Sequence, residues 1–132
     1  MSQENVDRLR ALLQAWNPGD EVDISLLDPS VVYEDTILPD HVGETYRGYE
    51  GVVRATERWL EAYEKVTLEL ERVFDAGDRI VSIHRARSRA RHTGIESELR
   101  FAYVWTFRDG RVIHFRSCRD PQEALEAVGL RE

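Results

Sequence analysis

The sequence predicts an α+β domain, a cone-shaped, strongly bent antiparallel β-sheet capped by helices, and three observations carry that expectation. Apolar residues recur at about 3.6 residues in two segments before residue 65, and at about 2 residues after it. Three glycine-bearing turns, Asp75-Ala76-Gly77-Asp78, Thr93-Gly94 and Arg108-Asp109-Gly110, divide the second half into four strands. Those strands outrun the usual length, so the sheet they form has to bend. Helices followed by a meander place the helices on one face of the sheet. A bent sheet closed by helices encloses a hollow.

Val6, Leu9, Leu12, Leu13 and Trp16 follow the i, i+3, i+4, i+7 rule and predict an amphipathic helix over 3–16, stopped by Asn17-Pro18-Gly19-Asp20. A short helical segment is expected around 21–28, with Val22, Leu26 and Leu27 inward. Asp28-Pro29 ends it, and Val31-Val32-Tyr33 is a short β run. Residues 35–48, with Pro39, Gly43 and Gly48, read as the longest loop, where functional residues concentrate on a rigid scaffold. The second long helix covers 49–64, with Val52, Thr56, Trp59, Leu60 and Tyr63 on one face. The four strands are expected at 66–74, 79–91, 96–107 and 111–119. A terminal helix over 121–128 begins at Asp120-Pro121 and stops at Gly129.

The 132 residues suit a single domain over 1–132, and 42% hydrophobic with 33% charged residues is a globular composition. Eighteen basic against twenty-five acidic side chains leave a net charge of −7, which repels nucleic acid and anionic membrane surfaces. Cys118 is the single cysteine, so neither an intrachain disulfide nor a thiolate metal cluster can form. Charged residues interrupt the first helix, and no apolar run approaches the length of a membrane span, so a cytoplasmic protein is expected.

Period-2 parity sorts the strands into faces. Leu68, Leu70, Phe74, Leu99, Phe101, Tyr103, Trp105, Phe107, Ile113 and Phe115 are expected inside. Glu69, Glu71, Arg85, Arg87, Arg89, Arg91, Glu98 and Arg100 are expected outside, as a cross-strand lattice of ion pairs. A two-residue turn at Thr93-Gly94 would set His84 opposite Tyr103 and Ala86 opposite Phe101. A three-residue turn at 108–110 would set Tyr103 opposite Phe115 and Leu99 opposite Arg119. The inner face then carries Arg72, Ser82, His84, Tyr103, Ser117 and Arg119, and a one-residue slip would move half of them to solvent. Val81, Ile83, Ala102, Val104 and Val112 form an apolar patch on the outer face, which predicts a homodimer.

The order of elements, Val31-Val32-Tyr33-Glu34-Asp35, Tyr46-Arg47-Gly48-Tyr49-Glu50-Gly51-Val52, and Val104-Trp105-Thr106-Phe107-Arg108-Asp109-Gly110-Arg111-Val112 together resemble the SnoaL-like branch of the nuclear-transport-factor-two-like superfamily. That group includes ketosteroid isomerases and polyketide cyclases. The resemblance covers nearly the whole chain and implies a cone with a hydrophobic pocket. It also implies a general base at Asp35, after the first strand. Of the two oxyanion donors of those isomerases, one falls near Ala11 and Leu12, which donate nothing, and the other falls at Tyr103. The scaffold hosts isomerases, cyclases, dehydratases, hydrolases and binding proteins, so function is argued from the site.

Candidate catalytic residues are therefore Asp35, Tyr103 and His84. Asp35 either abstracts a proton next to a carbonyl or caps the strand end, with Arg119 or Arg47 as salt-bridge partner. His84 is either a general acid–base group or a hydrogen-bonded core histidine. Trp16, Trp59, Tyr63, Trp105 and Phe115 suit a flat apolar ligand, and Thr56, Phe101, Ser117 and Arg119 complete the expected pocket. Arg119 either orients a ligand carboxylate or anchors Asp35. His41, His84, His92 and His114 lack metal-site spacing, so no metal and no cofactor is expected, and the partner is a small apolar molecule. Two functions stand at this point: a cofactor-independent isomerase-, cyclase- or hydrolase-type enzyme acting on a small apolar carbonyl compound, or a non-catalytic binding module or scaffold.

Overall fold

Hydrophobic faces decide how the elements meet. The structure, a computed structural model, describes residues 2–37 and 44–131. The order is α1 (Ser2–Ala15), β1 (Leu27–Asp35), β2 (Glu44–Arg47), α2 (Gly48–Ala62), β3 (Tyr63–Ala76), β4 (Arg79–Ala90), β5 (Glu96–Arg108), β6 (Arg111–Cys118) and α3 (Pro121–Ala127). The strands make one six-stranded sheet in the order β2-β1-β6-β5-β4-β3, strongly curved and unclosed. β1 runs parallel to β6 and every other pair is antiparallel, so the sheet is mixed.

The segment expected as helix over 21–28 is irregular over 21–24, turns at 25–26 and enters β1 at Leu27. Asp23 accepts the Ser25 N–H at 2.9 Å and Asp28 accepts the Ser30 N–H at 2.9 Å. Such local side-chain hydrogen bonds offer the backbone an alternative to the helix. The expected loop over 35–48 contains β2, which pairs Tyr46 with Tyr33. Pro39, His41 and Gly43 of that segment lie outside the described residues. The second helix stops at Ala62, and Tyr63 already belongs to β3.

Two bulges correct the assignment of faces. Leu70 pairs with His84 but Arg72 pairs with Ile83, leaving Glu71 as the extra residue in β3. Beyond it Val73 turns inward, while Phe74 turns outward opposite Val81, and Arg72 covers the Phe74 ring from the outer side. In β6, Thr106 pairs with His114 and Phe107 with Val112, so Ile113 is the extra residue and Val112, not Ile113, is in the core.

Both hairpin registers differ from expectation by two residues. The β4–β5 turn comprises residues 91–94, which sets Ser82 opposite Tyr103 and His84 opposite Phe101. Across β5–β6, Tyr103 faces Ser117 and Trp105 faces Phe115. A slip of two preserves the faces, so Ser82, His84, Ala86, Phe101, Tyr103 and Trp105 stay on one side.

The outer apolar patch has an occupant from its own chain. α3 lays Ala124 and Leu125 onto Val81, Ile83, Ala102, Val104 and Cys118, so the patch expected to bury a second copy is already covered. Asp120 caps α3 by accepting the Gln122 N–H at 3.0 Å, with Pro121 in the first turn. Its end is a Schellman motif, in which Leu130 N–H donates to the Leu125 carbonyl and Gly129 N–H to that of Glu126. The rest of the outer face is the expected ion-pair lattice: Glu71 accepts from Arg85 and Arg100 at 2.8 Å each, and Glu98 accepts from Arg85 and Arg87. No helix among the described residues is long and apolar enough to cross a membrane.

Candidate ligand cavity

α1 and α2 close the concave face of the sheet around a cavity of about 120 Å³. Leu9, Leu12, Leu13 and Trp16 reach it from α1, and Val52, Ala55, Thr56 and Trp59 from α2. Leu68, His84, Phe101, Tyr103, Trp105, Phe115 and Tyr33 supply the sheet wall. The aromatic rings interlock: Phe115 stacks between Tyr33 at 4.4 Å and Trp105 at 4.6 Å, and Tyr103 meets Phe101 edge to face at 5.1 Å. Rings held on both sides cannot collapse into the hollow, which explains why it persists.

Of the residues expected in the pocket, Trp16, Thr56, Trp59, His84, Phe101, Tyr103, Trp105 and Phe115 line this cavity. Tyr63 packs on Trp59 at 5.6 Å without lining it. Ser117 is fully buried one step behind the wall, and Arg119 donates to the Ile37 carbonyl rather than to Asp35. Arg47 does not pair with Asp35 either; no cation among the described residues does.

Asp35 ends β1, and its carboxylate is wholly buried. Oδ1 accepts the Ile37 N–H at 2.8 Å, and the Ser117 hydroxyl stands 3.5 Å away. Oδ2 has no hydrogen-bond partner among the described residues. The turn is stitched to β6 by Thr36, whose N–H donates to Ser117 Oγ at 3.0 Å and whose hydroxyl donates to the Ser117 carbonyl at 2.6 Å. Asp35 is not among the lining residues; it stands behind Tyr33 and Tyr103 and acts on both phenols through its charge. Burial first, and that charge second, push Tyr103 well above the ordinary tyrosine range. Tyr33 is raised likewise, by burial and then by Tyr103 and Asp35, with Ser117 opposing. Both phenols therefore remain protonated donors at any physiological pH.

His84 is 2% exposed, stacked on Phe101 at 5.5 Å and edge-on to Tyr103 at 5.3 Å. Its Nε2 lies 2.7 Å from Ser82 Oγ, which also accepts the Trp105 Nε1–H at 2.8 Å. Burial lowers the imidazolium pKa to about 4, so the ring is neutral. His114 pairs with Glu34 on the far side of the sheet, at 2.9 Å. Among the described residues no group of three His, Cys, Asp or Glu side chains could hold a metal ion.

Tyr33 was not singled out as a pocket residue from the sequence, although the signal was present. Val31, Tyr33 and Asp35 alternate with exposed or half-buried neighbours, and all three are buried. Among the described residues Asp23 is the one carboxylate in the cavity lining. A neighbouring groove, which shares Val22 and Thr56 with the cavity, carries Asp20, Glu21, Glu50 and Glu57.

Comparison with known proteins bears on the family and the fold. The family described as SnoaL-like domain matches residues 9–115. No curated protein matches the chain. Among solved structures, an NTF2-like protein from Burkholderia thailandensis E264 is 27% identical, with a TM-score of 0.73 and 89% of each chain covered. TerC co-crystallised with polyporic acid is 20% identical, with a TM-score of 0.75, over 94% of this chain and 97% of that one. A protein with a ketosteroid isomerase-like fold from Catenulispora acidiphila DSM 44928, in complex with trimethylamine, is 18% identical. Its TM-score is 0.67, over 99% of this chain and 96% of that one.

Proposed function

Because the chain belongs to the SnoaL-like domain family, we propose that it binds a small, apolar carbonyl compound in the cavity and moves a proton on it without a cofactor, with Asp35 as general base. The observation that carries this reading is the Asp35 carboxylate: fully buried, unpaired with any described cation, with Oδ2 unpartnered and both pocket phenols within its field. A structural aspartate at a strand end would satisfy both oxygens, and a buried polar atom left unsatisfied is costly unless it has another use. In this chemistry the bound ligand parts the Tyr33 and Tyr103 rings that cover Asp35, and Asp35 then accepts a proton from the carbon beside the carbonyl. The Tyr103 phenol, kept protonated, donates a hydrogen bond to the oxygen that gains negative charge. Delivery of the proton to a second carbon completes an isomerisation. TerC and the Catenulispora acidiphila protein hold small molecules on the same fold, which is consistent with a ligand here.

A second reading, a carrier with the same cavity and no chemistry, is favoured by one fact: Asp35 stands behind the cavity wall rather than in it. Exchange of the α-protons of cyclohexanone in deuterated water, followed by NMR, separates the two. Exchange accelerated by the protein and lost in Asp35→Asn supports the enzyme. Binding of the ketone with no accelerated exchange supports the carrier.

A further inference from the structure

The Trp105–Ser82–His84 chain decides what kind of molecule the cavity accepts. We infer that Ser82 and Trp105 fix His84 with its proton on Nδ1, so that the cavity presents a neutral N–H donor, and that this donor selects an uncharged ligand bearing an acceptor oxygen. The inference rests on the cavity being a ligand site, as proposed above, and names the ligand class.

Satisfying each hydrogen-bonding atom leads to one tautomer. A serine hydroxyl donates once and accepts up to twice. Ser82 Oγ already accepts the Trp105 Nε1–H at 2.8 Å. Among the described residues the remaining contact of that hydroxyl is His84 Nε2 at 2.7 Å. If Nε2 carried the proton, Oγ would accept twice and the Ser82 O–H, in a residue with no exposed surface, would have no acceptor. With Nε2 as acceptor, the Ser82 O–H donates to it, and the imidazole proton sits on Nδ1.

His84 lines the hollow, and its Nε2 is taken by Ser82. Nδ1 has no hydrogen-bond partner among the described residues, so it is the ring nitrogen left to a ligand in the cavity. The ring plane is held by Phe101 on its face and Tyr103 at its edge, so the N–H direction is set before a ligand arrives.

Charge narrows the ligand further. Neither the cavity nor the adjoining groove has a lysine or arginine among its described lining residues, while five carboxylates stand along them. A ligand anion would lose its hydration and gain no counter-charge. A ketone, aldehyde or ester oxygen accepts from Nδ1–H without that cost. About 120 Å³ suits a single ring, since a cavity of about 150 Å³ accommodates benzene.

The test has two arms on the full chain. Nitrogen-15 NMR of the histidine rings needs no ligand: the inference expects a protonated Nδ1 and bare Nε2 at His84, and loss of that fixed state in Ser82→Ala. A protonated Nε2 in the unmutated protein overturns it. In the second arm, calorimetry compares cyclohexanone, cyclohexane and cyclohexanecarboxylate. Removing one neutral hydrogen bond should lower the ketone-to-hydrocarbon affinity ratio about fivefold in His84→Phe, and the carboxylate should bind at least about 100-fold more weakly than the ketone. An unchanged ratio, a carboxylate that binds as well as the ketone, or no binding of any ring compound overturns the inference. Ketone binding that depends on His84, without α-proton exchange, removes the catalytic reading and leaves this one standing.

Discussion

Asp35 and Ile37 are joined by a single hydrogen bond that leaves half of a buried carboxylate unused: the Ile37 N–H donates to Oδ1 at 2.8 Å, and Oδ2 meets no described donor. The same turn places Ile37 against Phe101 and Ala86, where it closes one end of the concave face. Structure and chemistry can therefore be separated at this residue by choosing which oxygen to alter.

Asp35→Asn keeps an acceptor for Ile37 and replaces the unpartnered oxygen. Its unfolding free energy should stay within about 1 kcal/mol of the parent, while ketone α-proton exchange falls on the order of 10²–10⁴. Asp35→Ala removes the acceptor as well and should cost about 1–3 kcal/mol in denaturant unfolding. Equal losses of stability in both variants would tie Asp35 to structure alone.

Tyr103→Phe removes a protonated donor that lines the cavity while keeping the ring contacts with Phe101, Trp105 and Phe115. Exchange rates should fall on the order of 10²–10³, the loss expected for one oxyanion donor, with ketone affinity little changed. A variant that loses affinity and rate together would make Tyr103 a binding contact instead.

His84 makes stability depend on pH. Its folded pKa, about 4, lies below the ordinary value of 6.5, chiefly because of burial, with the Glu71 charge opposing weakly. The unfolded chain therefore binds the proton first. This contribution is fully present above pH 6.5, is lost progressively as pH falls toward 4, and amounts to roughly 3 kcal/mol. Urea unfolding of the parent and of His84→Phe between pH 4 and 7 should show a shallower slope in the variant.

Leu125 has no exposed surface, and it anchors α3 on Val81, Ile83, Ala102 and Val104. Leu125→Ala should cost about 2–5 kcal/mol. A chain ending at Arg119 would uncover the whole patch and should self-associate more strongly than the full chain in sedimentation. Unchanged sedimentation would show that α3 is not what keeps this face from other copies.

Gly51 lies inside α2, where alanine ordinarily stabilises a helix by about 1 kcal/mol. A Cβ there would meet the Tyr46 backbone carbon at 3.0 Å and its Cβ at 3.2 Å. Gly51→Ala should accordingly lower the melting temperature, because β2 has to move away from α2. An increase would mean that this contact yields easily.

The sequence by itself determined the types of the two long helices, the four long strands after them and the terminal helix, since periods of 3.6 and 2 report which residues need burial, and turn glycines report where a chain reverses. It also determined much of the cavity wall: Trp16, Thr56 and Trp59 share helix faces with core residues, and Phe101, Tyr103 and Trp105 share strand parity. Only the tertiary structure decided the rest. The bulge at Glu71 reverses the faces of the β3 residues that follow it, the bulge at Ile113 puts Val112 in the core in its place, and no local pattern marks where a strand absorbs an extra residue. The four-residue β4–β5 turn put Ser82, not His84, opposite Tyr103, because faces constrain register only to the nearest two residues. The outer patch was legible as apolar, but its cover, α3, is set by contacts between residues about twenty to forty-four apart in the chain. Asp35 was legible as a carboxylate at a strand end. That one of its oxygens would be buried without a partner depends on which donors β6 and the following turn bring to it, and such long-range contacts leave no mark in local sequence.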